Sequence, residues 1–414
     1  MAIPRRDLID PSMPVLCHCV SRCVRRLLLL AGEMSHRGKN GTHKRSRKEI
    51  LADRLRQLTA IFAIDVLEWA ILDNHVHLVL ATHPELVALW TDREVAERWR
   101  TLTPDYQWRR RRRIPYTDRV HEEEIAAMLS DPKLLERARR ALADVSQFHK
   151  FLKQRIAKLI NGIDDVTGHL WEGRFSSIVA ADVGALIAHM VYVALNAFRA
   201  GLSDRPETCD FTSLQSRIDE LRRRIDEGEF PEEVEEARRT LRGLKLLPAL
   251  PCDPGEAVRC RTTLPDGRPN PWAGGGVASV VEGLTLSAYL NELDRSARVE
   301  HPWKPRRTLP PEAPRLLAML ERELEARPAR CGGGAASAAD PPSPAPPAPP
   351  AEVPADLSMA ARYASPLEAS LSRGLANAIG HFSGGLAAVA RRAAALGRKA
   401  VWTLFDPEGD APRR

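Results

Sequence analysis

Residues 63–70 and 71–82 are two consecutive apolar segments of strand length, and the polar pair Asp73-Asn74 lies close to their junction. Polar turn formers between two strand-like segments predict a β-hairpin, which requires an antiparallel sheet. An alternating segment at 14–24 and an apolar segment at 169–180 predict two further strands. The first half of the chain is therefore expected to form a four-stranded sheet.

Helical segments alternate with these strands. Apolar residues recur at helical spacing over residues 47–61, 131–160 and 182–200, and Gly201 is placed to end the last helix. The stretch 32–46 is rich in Gly, Lys, Arg, His and Ser and predicts a loop. The order strand, helix, strand, strand, helix, strand, helix predicts an α+β fold in which helices cover a four-stranded antiparallel sheet, the ferredoxin-like arrangement.

The pattern divides the 414 residues into four regions. Residues 1–208 form a first domain that contains all the predicted strands, with an insertion at about 84–137. An accessory helical region follows at 209–330. Residues 331–356 are rich in Pro, Ala and Ser and predict an extended linker, since such a composition buries no core. Helical periodicity returns in a C-terminal tail at 357–414.

The formal charge of +7 is compatible with a phosphate-bearing partner but does not establish one. Five consecutive arginines (Arg109, Arg110, Arg111, Arg112 and Arg113) are typical of a solvated loop and equally of a surface that contacts nucleic acid. Trp108 and Tyr116, close to this run, are expected to be available for base stacking. No apolar stretch reaches the roughly 18 residues of a membrane span, so a soluble, cytoplasmic protein is expected.

The seven cysteines are scattered and odd in number, which argues against a disulfide framework. Cys17, His18, Cys19 and Cys23 are close together, but they lie within the predicted first strand and form no Cys-x-x-Cys pair. They are expected to be small half-buried side chains rather than zinc ligands.

His75 and His77 are separated by one residue on a predicted strand, so their side chains project from the same face. Val76, Leu78 and Leu80 project from the other face, toward a core. Two imidazoles in this arrangement form half of a metal site. The pattern is also compatible with two polar residues on the solvated face of a half-buried strand.

The predicted helix 182–200 carries an apolar stripe for packing and, on a different face, His189, Tyr192 and Asn196. Tyr192 and Asn196 are four residues apart and lie one turn above the other. A tyrosine beside an apolar stripe is compatible with simple packing. A phenolate can also attack a phosphodiester when a cation offsets the charge on the phosphate oxygens. Two histidines and an amide oxygen could then hold an octahedral Mg²⁺ or Mn²⁺.

Four segments, in this order, resemble the REP-associated tyrosine transposases, single-tyrosine members of the superfamily named for its His-hydrophobic-His pair. The segments are CHCVSRCVRR (17–26), DNHVHLVL (73–80), LWEGRFSS (170–177) and YVALNAFRAGLSDRPE (192–207). The resemblance spans roughly residues 13–215, about half of the chain. Weaker similarity at 283–298 and 374–398 resembles the C-terminal extension of the long family members. Where the family usually has proline after the asparagine, this chain has Ala197.

The resemblance implies a role for each matching residue. Tyr192 matches the nucleophile, His75 and His77 match the metal-binding histidines, and Asn196 matches the third polar ligand. Arg174 is similar to a basic position that contacts phosphate, although a structural arginine fits there as well. The implied activity is Mg²⁺- or Mn²⁺-dependent cleavage and strand transfer of single-stranded or hairpin DNA through a 5′-phosphotyrosine. The oligomeric state stays open, with a homodimer among the alternatives.

Two other classes of protein remain open. One is a relative that binds DNA structure but has lost catalysis, against which the intact residues argue. The other is an RNA-binding protein built on a ferredoxin-like sheet. Such proteins usually carry stacked aromatics on adjacent central strands, whereas Trp69 is the sole aromatic residue in the predicted second and third strands.

Overall fold

The computed structural model describes residues 10–38, 41–113, 120–281, 283–299, 307–327 and the short strand 382–383. The strands are β1 (Leu16–Arg22), β2 (Glu33–Gly38), β3 (Gly41–Ser46), β4 (Ile64–Ile71), β5 (His75–Thr82), β6 (Ser176–Ala180) and β7 (Phe382–Ser383). Strands β4, β5, β1 and β6 are neighbours in that order, and all their pairings are antiparallel. The predicted α+β class and four-stranded antiparallel sheet are confirmed; β7 adds a parallel pairing to β6.

The helices alternate with the strands and then dominate the second half of the described chain. They are α1 (Arg47–Thr59), α2 (Pro84–Leu89), α3 (Asp92–Leu102), α4 (Tyr106–Arg111), α5 (Glu122–Leu129), α6 (Pro132–Ala141), α7 (Val145–Ile163), α8 (Val183–Ala194), α9 (Asn196–Arg199), α10 (Ser213–Asp226), α11 (Val234–Gly243), α12 (Glu256–Arg259), α13 (Leu286–Ala297) and α14 (Leu316–Ala326). Short 3-10 turns lie at Val24–Arg26, Pro206–Thr208 and Ala273–Gly275. Among the described residues, no helix is both long and apolar enough to cross a bilayer.

The alternation along β5 divides its residues between two cores. Val76, Leu78 and Leu80 belong to the core on the α1 and α7 side, whereas Val79 and Ala81 belong to the core on the α8 side. Because side chains alternate along a strand, His75 and His77 face the α8 side. The register places His77 beside Val20 of β1 and Ala70 of β4.

Helices α10, α11, α13 and α14 belong to the same core as α8 and strand β4. Apolar side chains from all these helices are buried together, for example Leu221, Tyr289, Leu293 and Leu320. Ser213 ties α10 to the sheet, because its hydroxyl accepts a hydrogen bond from the backbone N–H of Trp69 at 2.8 Å. The accessory helices are thus packed against the layer that carries Tyr192. The predicted linker 331–356 and all of the predicted tail except 382–383 lie outside the described residues.

Four local predictions need correction. The stretch 32–46 is a hairpin, β2–β3, rather than a loop; it forms a separate two-stranded sheet, so no core face imposes an apolar alternation on it. Residues 169–175 precede the fourth strand instead of belonging to it. The helix predicted over 131–160 is α6 and α7, with an interruption at 142–144. The helix predicted over 182–200 is interrupted at Leu195.

Candidate active site

Strand β5 places His75 and His77 on one face, as the alternation predicts. That face is not a solvated surface, because α8 packs across it and contacts β1, β4, β5 and β6. His77 is buried, with 3% of its surface exposed, and His75 at the strand start is half-buried. The histidine pair therefore begins at a partly exposed position and continues under the helix.

His18 completes the pair from the neighbouring strand. It lies on β1, is buried, and its Nε2 is 2.9 Å from Nδ1 of His77. The two rings are stacked with their centroids 5.1 Å apart. Sequence reasoning treated His18 only as part of a rejected cysteine cluster. Its alternation with Val20 and Arg22 on β1 would place it on the α8 side, but the neighbouring strand could not be identified from that pattern.

Helix α8 brings Tyr192 over these imidazoles. Asp182 caps the start of the helix, where its carboxylate accepts a hydrogen bond from Ala185 N–H at 2.7 Å. Two residues before the helix ends, Tyr192 lies with its ring centroid 5.7 Å from His18 and 5.8 Å from His77. His189, one turn earlier, lies 5.5 Å from His18. The half-buried tyrosine is thus in ring contact with the histidine cluster instead of packing only against apolar residues.

Asn196 lies next to the cluster, one residue beyond an interruption of the helix. Leu195 ends α8, and Asn196 is the first residue of the short helix α9. The Asn196 side chain forms a hydrogen bond to His75. Gly201, at φ +79°, ends this helix as the sequence predicts. The structure therefore brings together His75, His77, Tyr192 and Asn196, the four residues predicted to form the site, and adds His18 and His189.

The electrostatic setting keeps these imidazoles neutral. Burial lowers the pKa of His75 to about 4, an effect strengthened by Arg22 and opposed by the hydrogen bond to Asn196. Burial likewise lowers the pKa of His189 to about 4. Burial and neighbouring positive charge hold the pKa values of His18 and His77 well below the ordinary range. Neutral imidazole is the form that binds metal ions.

The ring orientations also fit a divalent cation. Nδ1 of His77 is occupied by His18, and Nδ1 of His75 lies 2.5 Å from Oδ1 of Asn74. These contacts orient each ring through Nδ1, as outer partners commonly do for metal-binding histidines, whose other ring nitrogen then serves as the ligand. Asn196 adds an amide oxygen, a ligand type that suits Mg²⁺ and Mn²⁺. His75, His77 and Asn196 are therefore chemically suited to hold the divalent cation that the resemblance implies.

Positively charged side chains surround the open end of the cluster. Arg22, whose Cα pairs with that of His75, is exposed, as are Arg25 and Arg26. The turn they form is held against the sheet by hydrogen bonds from Asn74 Nδ2 to Arg26 O at 3.1 Å and from Cys23 N–H to Asn74 O at 2.8 Å. These exposed arginines make the open side of the cluster positively charged, which favours an anionic group such as a phosphate.

Arg174 is exposed and lines a cavity of about 590 Å³ between α7 and residues 168–175, together with Lys150 and Lys153. This placement is compatible with phosphate contact. Residues 168–175 lie next to the histidine cluster, because the backbone N–H of Glu172 donates a hydrogen bond to the carbonyl oxygen of Arg22 at 2.9 Å.

The arginine run divides into two classes. Arg110, Arg111, Arg112 and Arg113 are exposed, and the guanidinium of Arg112 lies 4.6 Å from the ring centre of Trp108. The prediction for Arg109 is wrong: it is buried and forms an ion pair with the buried Glu124 at 2.8 Å. Tyr116 lies outside the described residues.

A second titratable cluster lies at the opposite end of β5, and sequence reasoning missed it. Donor atoms of Asp65, His83 and Cys252 all lie within 4.8 Å of one another, a grouping that could hold a metal ion. Nε2 of His83 is 2.9 Å from Asp65, and Nδ1 is 2.9 Å from Glu85. Burial alone would lower the pKa of His83, but these carboxylates raise it to about 9.

No family model, no curated protein and no solved structure matches the chain. The interpretation of the site therefore depends on the positions and chemistry of its own residues. Those residues form a compact arrangement: a tyrosine, neutral imidazoles and an amide near the end of α8, with exposed arginines beside them.

Proposed function

We propose that this protein is a metal-dependent transposase that cleaves and rejoins single-stranded DNA at hairpin-forming repeats. The observation that carries the proposal is the convergence of Tyr192 with His75, His77 and Asn196, residues from a strand and two helices. The spacing of these residues in the sequence predicts the same site independently of their proximity in space.

The fold supports the same proposal. The strand order β4-β5-β1-β6 is the order of a ferredoxin-like sheet, and α1 and α7, which cross over between strands, pack on one face of it. The remaining face is left for the histidines and the tyrosine helix. This is the arrangement expected from the resemblance to the REP-associated tyrosine transposases.

In the proposed reaction Tyr192 Oη attacks the scissile phosphorus. A bond forms between Oη and phosphorus, and the bond between phosphorus and the 3′ oxygen breaks. The phenol loses its proton, and the departing 3′ oxygen gains one, so the products are a 5′-phosphotyrosine and a free 3′-hydroxyl. Attack by a DNA hydroxyl on the phosphotyrosine reverses the linkage and joins strands without an external energy source.

The chain's other residues position the reacting groups. His18 fixes the ring of His77, and Asn74 fixes the ring of His75. A divalent cation held by His75, His77 and Asn196 would supply electrostatic stabilisation of the phosphate charge. Arg22 and its neighbours bind the backbone of the substrate.

The RNA-binding alternative is disfavoured by the packing. An RNA-binding sheet stacks unpaired bases on an open face. Here α8 covers one face of the four-stranded sheet, and α1 and α7 lie in the core on the other. A relative that has lost catalysis and only binds DNA would have the same fold. Only a measurement of DNA cleavage therefore distinguishes it from an active transposase.

The test uses a labelled oligonucleotide made from a hairpin-forming repeat that flanks the gene, incubated with protein and Mg²⁺ or Mn²⁺. A covalent protein–DNA band on a denaturing gel is expected for the native chain and absent for Tyr192→Phe, with hairpin affinity unchanged. Tyr106→Phe is the matched control, because Tyr106 is 60% exposed on α4. Hairpin binding without a covalent adduct in the native chain would support the relative that has lost catalysis. An adduct in Tyr192→Phe would mean that another residue is the nucleophile.

A further inference from the structure

The cluster of Asp65, His83 and Cys252 combines three segments that are distant in sequence. Asp65 lies near the start of β4, and His83 directly follows β5. Cys252 belongs to a segment that runs along β4, where Leu250 and Val66 exchange two backbone hydrogen bonds of 2.9 Å. The cluster therefore joins the β4–β5 hairpin to the chain that returns from α11.

Each oxygen and nitrogen in the cluster has a fixed orientation. Oδ1 of Asp65 accepts a hydrogen bond from Cys252 N–H at 2.7 Å, which directs Oδ2 toward Nε2 of His83 at 2.9 Å. Glu85 lies 2.9 Å from Nδ1 on the other side of the imidazole. A carboxylate behind a histidine, with the second ring nitrogen facing other donors, is the usual outer arrangement of a metal-bound histidine.

The burial of Cys252 bears on what the cluster binds. Asp65 and Cys252 are each 5% exposed, and the edge of Trp272 packs on His83 with ring centroids 5.7 Å apart. A buried ion pair between His83 and its two carboxylates would explain the distances around the imidazole. The thiol of Cys252 is also hydrogen-bonded to Asp65, which places Sγ beside the carboxylate and the imidazole. A borderline-soft cation such as Zn²⁺ favours this set of sulfur, nitrogen and oxygen donors.

We propose that Asp65 Oδ2, His83 Nε2 and Cys252 Sγ bind one zinc ion, with Glu85 orienting His83 from behind. Binding displaces the proton between His83 and Asp65 and the thiol proton, so one dication replaces two protons and the local charge is unchanged. The fourth position is left for water or an exogenous ligand, because zinc is usually four-coordinate.

This site is separate from the proposed DNA-cleaving centre. His83 lies six residues beyond His77 along the same strand direction, which corresponds to roughly 20 Å at the rise of a β-strand. Zinc here would cross-link the segment around Cys252 to the edge of the sheet that carries the histidine pair. Its role would be to fix the second half of the chain on the first.

The test is a titration of chelator-treated, full-length protein with Co²⁺, followed by zinc competition. A thiolate bound to Co²⁺ gives a charge-transfer absorption in the near ultraviolet. The His75–His77 centre gives none, because its proposed ligands are nitrogen and oxygen. One cobalt equivalent with this absorption is expected for the native chain, and zinc should abolish it.

Cys252→Ser should lose the absorption, whereas Cys260→Ser should keep it, because Cys260 is exposed and eight residues away. Glu85→Gln changes a half-exposed side chain and should weaken zinc binding about 10- to 100-fold without unfolding the protein. Absence of the absorption in the native chain would overturn the proposal, as would its retention in Cys252→Ser. If Cys252→Ser does not fold, an unchanged zinc affinity in Glu85→Gln would overturn it.

Discussion

The two ends of β5 carry the same residue type in opposite electrostatic states. At the start of the strand, His75 and His77 lie among imidazoles and near Arg22, and burial lowers their pKa values. Just beyond its end, His83 lies between two carboxylates, and its pKa is raised to about 9. The strand is continuous, so the neighbours that each end meets determine the difference.

This comparison separates two kinds of histidine chemistry. Neutral imidazoles with a tyrosine above them are suited to bind a cation and a phosphate. An imidazole between carboxylates is held as a cation itself until a metal ion displaces its proton. The predictions below test whether the two ends behave in these different ways.

The largest expected effect is on cleavage. His75→Ala and His77→Ala should each reduce metal-dependent hairpin cleavage by about 100-fold or more, since removing even an outer partner of a metal ligand weakens a site about 10- to 100-fold. Normal cleavage by either variant would remove that histidine from the site.

The same two variants should differ in stability. His77 is buried and paired with His18, so His77→Ala should lower the free energy of unfolding by about 1–3 kcal/mol. His75→Ala removes a half-buried side chain and should have a smaller effect. Urea unfolding of the metal-free proteins measures this difference, and equal losses would contradict the burial gradient along the strand.

The pH dependence of stability should have opposite signs at the two ends. His83 binds its proton more tightly when folded, so its contribution of about 3 kcal/mol is complete below pH 6.5 and is lost as the pH rises through about 9. His75 binds its proton less tightly when folded, so stability falls as the pH drops from 6.5 toward 4. These windows apply to chelator-treated protein.

Urea unfolding at a series of pH values would test both windows. His83→Gln should remove the loss on the alkaline side, and His75→Gln should reduce the loss on the acidic side. A native curve that is flat between pH 7 and 10 would show that His83 is not held as a cation.

Asn196 provides a test of the metal ligands with an intermediate effect. Asn196→Asp keeps an oxygen near His75 and should retain part of the activity with an altered Mg²⁺/Mn²⁺ preference. Asn196→Leu removes the ligand and should reduce cleavage about 10- to 100-fold at low metal, with partial rescue by high Mn²⁺. If Asn196 only packed against its neighbours, Asn196→Leu would be the more active of the two variants, because Asn196→Asp would then bury a charge.

The smallest effect is expected for DNA affinity. Arg22→Gln, at the His75 end, should weaken hairpin binding a few-fold and reduce the slope of affinity against salt by about 1. Arg268→Gln should have no effect, because Arg268 lies toward the His83 end and is paired with Asp266 at 2.7 Å. Fluorescence anisotropy over a salt series measures both, and equal losses would mean that the two ends do not differ in DNA contact.

The alternation of β5 and the spacing of Tyr192 and Asn196 could be recognised from sequence because both are local patterns. His18 could not, because it meets His77 only through a pairing between strands 59 residues apart. The Asp65–Cys252 contact spans 187 residues. Arg109 differs from its four neighbours only because α4 turns it toward Glu124, and no local signal identifies that partner.

Sequence alone left open the alternative in which the histidine pair lies on a solvated face, for a related reason. The amphipathic pattern of β5 shows which residues share a face but does not show what covers it. Helix α8 is apolar on most of its surface, and nine of its twelve residues are buried. The sheet covers one side of α8 and α13 packs against the helix as well. These contacts join residues that are distant in sequence, so no local pattern predicts them.

The shared core of α8 and the later helices makes the position of Tyr192 depend on the second half of the chain. Tyr289, Leu293 and Leu320 are buried in the same core as Met190 and Val193 of α8. A chain that ends before these residues would expose the outer face of the helix that bears Tyr192. It would keep His75, His77, Tyr192 and Asn196 in its sequence but would lose the packing that holds α8 over the histidines.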